Sequence, residues 1–207
     1  MDELHKEQKE LLEKLKNSKD EKEIEEIIEG TLKYMDFLHH RMLTDPLTHL
    51  YNRRKFRMDI EKEIHRAEHE GYNTSLIFFD IDHLKELNDK KGHQYGDWVL
   101  VMVGKVLQGN LHDYDKVYRM GGDEFAIIIP DSSLVEAEEA LKRLKEKIKS
   151  EINITISAGL ANYKESTKSV KDLFKITDQA LYKSKNEGRD RITVCYPEKK
   201  KSSAVIE

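Results

Sequence analysis

Apolar positions follow two patterns along the chain, and each predicts a different kind of element. Through the first 43 residues they are sparse and helically spaced. Leu4, Leu11 and Leu15 form one stripe, and Ile24, Ile28, Met35, Leu38 and Met42 form another, at three- and four-residue intervals or their sum. Between the stripes, Ser18 and Glu21 have capping-box spacing, so a second helix is expected to start at Lys19. Both stripes are narrow and the other faces are charged. Such a pair cannot bury itself alone and needs a second chain or the rest of the protein. Residues 1–43 are read as a helical stalk with a dimerising role.

From Asp45-Pro46, which breaks the helix, the pattern changes to alternating strands and helices. Residues 52–69 are helical, with Phe56, Ile60 and Ile64 four apart. Ser75 to Ile81 is a short apolar run expected to form a buried strand. Helices are expected over 83–90 and 96–109, with Gly92 as the break. Val117 to Met120 and Phe125 to Ile129 read as two strands of a hairpin around Gly121-Gly122-Asp123-Glu124. A helix over 132–150, a strand from Ile152 to Ala161, a helix over 168–187 stopped by Gly188, and a last strand from Arg191 to Tyr196 complete the series. One tight hairpin among interleaved helices predicts an α+β domain over residues 44–196, its sheet mixed and mainly antiparallel. The Lys-rich residues 197–207 are expected to be disordered.

Composition narrows the function classes. A formal net charge of −4 argues against a nucleic-acid binder that works by general phosphate attraction. The single cysteine, Cys195, excludes an intrachain disulfide and fits a reducing compartment. No apolar run approaches a membrane span and the Lys/Glu-rich start is unlike a secretory signal, so a cytoplasmic location is expected.

Four groups of residues carry candidate chemistry. Asp80 ends an apolar strand, and a buried carboxylate needs a partner, for which a bound cation is a common solution. Taken alone, Asp80 and Asp82 also read as a strand end and a helix cap. Gly121 and Gly122 permit a sharp turn and close approach of a ligand, and Asp123 and Glu124 follow them. A strand-end acid and a hairpin acid on adjacent strands suit metal-assisted phosphoryl transfer. Asn88 and Asp97, on either side of Gly92 and His93, match the donor and acceptor edge of guanine. Lys185 and Arg189 sit near a helix C-terminus, where cations are favourable in any protein.

Together these strings resemble the GGDEF family of diguanylate cyclases. The matching segments are Asp45 to Arg54, Phe79 to Asp89, Gly92 to Asp97, Arg119 to Phe125, Ile156 to Leu160 and Ala180 to Arg189, in the family's order and over about residues 44–195. The resemblance implies a nucleotidyl-cyclase palm fold and the conversion of two GTP into cyclic di-GMP and two pyrophosphates, with one GTP on each protomer of a homodimer. It implies Mg²⁺ or Mn²⁺, two ions per site, held by Asp80, the Ile81 carbonyl and Asp123. By the same analogy Asp123 and Glu124 are the catalytic acids. Asn88 and Asp97 read guanine, and Lys85, Lys185, Arg189 and the backbone near His83 and Leu84 bind phosphate. Gly121 and Gly122 leave room for the nucleotide, and His93 lies by the ribose or orders its loop.

The chain also departs from the family pattern. Many members carry Arg-x-x-Asp as a product-inhibition site, and here His112 and Asp115 stand at its ends, so feedback through that site is expected to be weak or absent. His49 stands where glycine is common, at a modest expected cost. The competing readings are an inactive GGDEF domain that binds GTP or a partner, an enzyme making a mixed purine dinucleotide, and a coiled-coil adaptor. A chain that starts near Met42 is expected to lose both dimerisation and most activity at low protein concentration, read by light scattering and product formation. Full activity from a dimeric truncated chain would show that the stalk is dispensable.

Overall fold

The computed structural model describes residues 21–196, together with Glu10 and Glu13. The stripe of Leu4, Leu11 and Leu15, the expected cap at Ser18, the helix start at Lys19 and residues 197–207 lie outside the described residues. The chain divides into two compact units, Met1–Leu43 and Thr44–Glu207. In the first, helix α1 (Glu21–Leu43) leaves Ile28, Leu32, Met35, Phe37 and Met42 exposed. An i,i+4 ion pair between Lys33 and Glu29 supports it on its polar face.

The second unit runs β1 (Tyr51–Asn52), α2 (Arg53–Glu70), β2 (Thr74–Ile81), α3 (Leu84–Lys91), α4 (His93–Gln108), β3 (Lys116–Gly121), β4 (Glu124–Pro130), α5 (Leu134–Ile152), β5 (Ile156–Tyr163), α6 (Val170–Asn186) and β6 (Ile192–Val194). One six-stranded sheet has the order β1-β3-β4-β2-β5-β6. The pairs β3/β4, β4/β2 and β2/β5 are antiparallel, and the edge pairs β1/β3 and β5/β6 are parallel. The sheet is therefore mixed and mainly antiparallel, as the hairpin predicted.

Strand β2 lies between β4 and β5 and is covered on both faces, which is why its sequence is an unbroken apolar run rather than an alternation. Its side chains still alternate between faces. Ile77, Phe79 and Ile81 enter a core with Val99, Val103 and Leu107 of α4 and Leu141, Leu144 and Ile148 of α5. Leu76, with Phe78 packed alongside, enters the opposite core with Phe56, Ile60 and Ile64 of α2 and Leu173 of α6. By this alternation Asp80 falls on the α2/α6 face. Local signals fix the covering helices. Asn52 caps α2 by accepting from the N–H groups of Arg54 and Lys55, and Ser133 and Glu136 form a capping box on α5.

Several boundaries differ from the sequence expectation: helix α4 starts at His93 rather than at residue 96, β6 is Ile192–Val194 rather than 191–196, and the largest shift lies between α5 and β5. Helix α5 continues through Ile152, whose side chain belongs to the α4/α5 core, and ends at Asn153 in the left-handed conformation. Strand β5 accordingly starts at Ile156 rather than Ile152. Strand β1 is too short to produce a period and exists only because Tyr51 and Asn52 lie in register with Tyr118 and Arg119. His49 does adopt φ 58.

Gly159 on β5 lets α6 approach the sheet. A Cβ there would lie 2.3 Å from the Thr177 carbonyl oxygen and 2.4 Å from the Leu181 nitrogen, both backbone atoms that cannot swing aside. Gly159→Ala is therefore expected to cost about 3 kcal/mol or more, measured as a loss in denaturant midpoint. A change of under about 0.5 kcal/mol would mean the helix shifts freely.

Candidate active site

Antiparallel pairing of β2 with β4 sets Asp80 directly opposite Glu124, and Phe79 opposite Phe125 with their rings stacked 5.0 Å apart. Register alone thus brings a strand-end acid to the hairpin acids. Gly122 and Asp123 form the two-residue turn between β3 and β4, with Gly121 at φ 142 and Gly122 at φ 57, conformations that a side chain would strain. The Ile81 N–H donates to the Asp123 carbonyl at 3.2 Å, which ties the end of β2 to the turn.

Asp80 is 8% exposed and ion-paired to Lys185 at 2.7 Å. Its pKa is nevertheless pushed up to about 6: burial raises it, the Lys185 hydrogen bond opposes, and the neighbouring charges of Asp123 and Glu124 raise it further. One ammonium does not balance this group. A hard divalent cation that takes one or two carboxylates, a carbonyl and outer oxygen ligands fits the donor set of Asp80, Ile81 and Asp123. Among the described residues no cluster of three or more His, Cys, Asp or Glu side chains has a metal-binding arrangement, so any ion here would draw on backbone and ligand oxygens as well. Lys185, expected to bind phosphate, is the counter-ion of Asp80 in this structure.

The other expected residues surround this cluster. His83 adopts φ 59 before α3, and no side chain caps the first turn of that helix, so its leading N–H groups remain available to an acceptor. The His83 ring meets Glu86 at 2.6 Å, Leu84 is buried and Lys85 is exposed. Asn88 is half-buried, and its Oδ1 is buried with no hydrogen-bond partner among the described residues. Gly96 makes room for it, since a Cβ there would lie 1.8 Å from that oxygen. His93 and Asp97 are exposed in the first turns of α4. Arg189, at φ 62, is exposed beyond the end of α6.

His112 and Asp115 are not part of this arrangement. They line a separate cavity of about 250 Å³ with Arg143 of α5 in its wall. Asp115 accepts from the His112 N–H through one oxygen while the other is buried without a partner, and burial raises its pKa.

Two contacts that frame the site were not assigned from the sequence. Asp45 Oδ1 accepts from the Thr48 N–H and hydroxyl, both at 2.8 Å, and from Arg119 Nη1 at 3.0 Å. Arg119 in turn donates through Nε and Nη2 to the Gly122 carbonyl, at 3.1 and 2.9 Å. The opening of the domain therefore holds the hairpin turn through one guanidinium. Asp82, a possible helix cap by sequence, instead accepts from Ser157 at 2.6 Å, Thr155 at 2.8 Å and the Asp190 N–H at 3.0 Å. It pins the loop that carries Arg189 to the end of β2. The Asp45-Pro-Leu-Thr and Asp-Ile-Asp strings were the available signals, but neither names its partner.

Comparison with known proteins places the chain among relatives of one family. Residues 42–191 match the family model described as diguanylate cyclase, GGDEF domain. The chain is 40% identical over 161 residues to the diguanylate cyclase VdcA of Vibrio cholerae, covering 72% of this chain and 46% of VdcA. It is 38% identical over 162 residues to the diguanylate cyclase DgcP of Pseudomonas aeruginosa, covering 74% of this chain and 24% of DgcP. The chain thus spans a quarter to about half the length of these curated relatives. Among solved structures, the coiled coil and GGDEF domain of DgcB from Caulobacter crescentus, in complex with c-di-GMP, is similar with a TM-score of 0.75 at 30% identity, over 81% of this chain and 93% of that one.

The tether at Asp45 makes a pH-dependent prediction. Burial raises the Asp45 pKa, but the bonds from Thr48 and Arg119 outweigh it, and the net shift is downward. A depressed folded pKa gives stability that is present above the unfolded value near 4 and lost as pH falls through the folded value. Asp45→Asn is expected to cost about 1–2 kcal/mol at pH 7, with the penalty shrinking below about pH 4. Denaturant melts of both chains across pH check this. A penalty independent of pH would mean that packing rather than charge holds the turn.

Proposed function

The chain belongs to the GGDEF family of diguanylate cyclases, and on that premise we propose that it condenses two GTP into cyclic di-GMP. The observation that carries the reading is the gathering of buried Asp80, half-buried Asp123 and exposed Glu124 beside a glycine turn, three carboxylates with the single ammonium of Lys185 paired to Asp80. Phosphoryl transfer needs positive charge at the phosphate, which a cation held by these acids would supply, and space for the nucleotide, which the turn leaves.

In this reading the ribose 3′-oxygen of one GTP attacks the α-phosphorus of the other. The new P–O bond forms as the bond to the β-phosphate oxygen breaks, and pyrophosphate departs. A second, symmetric step closes the ring. Asp123 accepts the proton of the attacking hydroxyl, and Glu124, next to it at the start of β4, would lie close to the metals. Two Mg²⁺ or Mn²⁺ ions, held by Asp80, the Ile81 carbonyl and Asp123, would supply positive charge to the phosphate oxygens and to the attacking oxygen. Lys185, Lys85, Arg189 and the open N–H groups near His83 and Leu84 hold the phosphates. Exchange of Lys185 between Asp80 and phosphate supplies a movable positive charge.

Guanine is read by Asn88 and Asp97, with His93 ordering the loop between them. The unpartnered Asn88 oxygen supports this, because a buried acceptor left unmade costs about 1–3 kcal/mol that a bound donor recovers. Gly121 and Gly122 leave the nucleotide room at the turn. Each domain over residues 44–196 presents one GTP, so two copies must face each other, and positioning supplies much of the catalysis. The exposed apolar face of α1 supports a role for residues 1–43 in pairing two such domains. The reducing pattern of cysteine use supports a cytoplasmic enzyme. The described residues contain no helix long and apolar enough to cross a membrane.

A GTP-binding module without turnover is the second reading, and the intact set Asp80, Asp123 and Glu124 speaks against it. Purified chain with GTP and Mg²⁺ is expected to yield cyclic di-GMP by chromatography, and Asp123→Ala to lose at least about 100-fold in rate. With ATP and GTP mixed, Asp97 is expected to keep the product all-guanine. Added cyclic di-GMP is expected to leave the rate nearly unchanged through the His112/Asp115 cavity. No product from a folded, dimeric chain would select the binding module instead.

A further inference from the structure

A second cavity, of about 470 Å³, opens on the α2/α6 face of the sheet and reaches Glu124 and Phe125 at one end. Phe78, Phe174 and Met120 line it, all half-buried, above fully buried Phe56. The rings of Phe56, Phe78 and Phe174 lie 5.6–6.1 Å apart at steep angles and form a continuous aromatic floor. Around that floor stand four cations, Arg53 and Arg57 from α2 and Lys171 and Lys175 from α6.

Among the described residues, some cations of the unit are ion-paired and others, Arg54, Lys62, Lys105 and Lys168 among them, are not; what distinguishes these four is that they converge on one cavity. Elsewhere in the unit Lys55, Arg119, Lys142, Lys145, Lys149 and Lys185 each meet a carboxylate. Among the described residues, none of the four around the cavity makes an ion pair. All four are exposed, two from each of two helices, and they converge on one apolar basin. Four cations share this lining with only two carboxylates, Glu124 and Asp178; like charges in excess repel one another, and a bound polyanion relieves that repulsion. The volume is that of a small-molecule site, with a mostly apolar floor and a few convergent polar groups.

We infer that this cavity binds a nucleotide, with its base against Phe78, Phe174 and Met120 and its phosphate among Arg53, Arg57, Lys171 and Lys175. Aromatic floors accept any planar base, and arginine pairs with phosphate through two parallel donors. Asp178 at the rim is a carboxylate with no ion pair among the described residues, and it suits the N1–H and N2–H₂ donors of guanine. Two sources supply such a ligand, a free mononucleotide or a cyclic dinucleotide, and they share the recognition chemistry. The inference does not rest on the cyclase reading, because binding is measured without turnover.

The experiment uses the full chain with Asn88→Ala, which disables the expected guanine pocket. Calorimetric titration with GMP and, separately, with cyclic di-GMP is expected to show binding, and adding Arg57→Glu with Lys175→Glu is expected to weaken it at least tenfold. Preference between the two probes identifies the source. Equal affinity with and without the charge reversals, or no binding of either probe, would overturn the inference. So would binding of cyclic di-GMP that Arg143→Ala alone abolishes, since that places it in the cavity at Asp115. Independently of any variant, GMP is expected to protect Lys171 and Lys175 of the unaltered chain from acetic anhydride, while guanosine does not. Equal labelling under both conditions, read by mass spectrometry, would likewise overturn it.

Discussion

Asp80 lies at the end of a strand enclosed between β4 and β5, and its carboxylate cannot be solvated as an exposed one is. Much of the surrounding structure answers that constraint. Strand β2 must be apolar on both faces to sit between β4 and β5, and the same position places its last acid within the field of Asp123 and Glu124. Lys185 arrives from the end of α6 to pair with it. That in turn requires α6 to lie close on β5, which Gly159 permits. A buried anion with one partner and two like-charged neighbours is poorly satisfied by protein alone. In the proposed reading a bound cation would supply the positive charge that this anion lacks.

Holding such a group in place calls for rigidity nearby. The turn between β3 and β4 uses two glycines in conformations with few intrinsic preferences, so something outside it must select one arrangement. Arg119 does this by spanning Asp45 and the Gly122 carbonyl. Asp82 has the matching task on the other side, where Ser157, Thr155 and the Asp190 N–H fix the loop after α6. Asp190 is itself held by Lys145 and Lys149 of α5. The two acids of Asp-Ile-Asp thus divide the work. Side-chain alternation sends Asp80 to the α2/α6 face and Asp82 ends in hydrogen bonds to the start of β5.

The same face carries the aromatic basin. Its floor is built from residues that also seal the α2/α6 core, so binding there would be coupled to the packing of α6, and through Lys185 to Asp80. An occupant of the basin would lie next to Glu124 and against α6, the helix whose Lys185 pairs with Asp80.

The sequence by itself determined most elements of the second unit, the mixed sheet with its hairpin, and the acids that stand at the strand end and turn. Those features are written in local periodicity, glycine placement and short strings that need no distant partner to be read. Tertiary structure alone decided the pairings. Asp82 could be a cap or a clamp until Ser157 and Asp190, far along the chain, met it. Arg119 was a letter in a motif until Asp45 reached it across 74 residues. Strand β1 exists only beside β3, and α5 kept Ile152 because the core, not helical propensity, had room for it. Local pattern encodes which surface each residue prefers, whereas charge balance and hydrogen bonding depend on which distant groups the folded chain brings within about 3 Å.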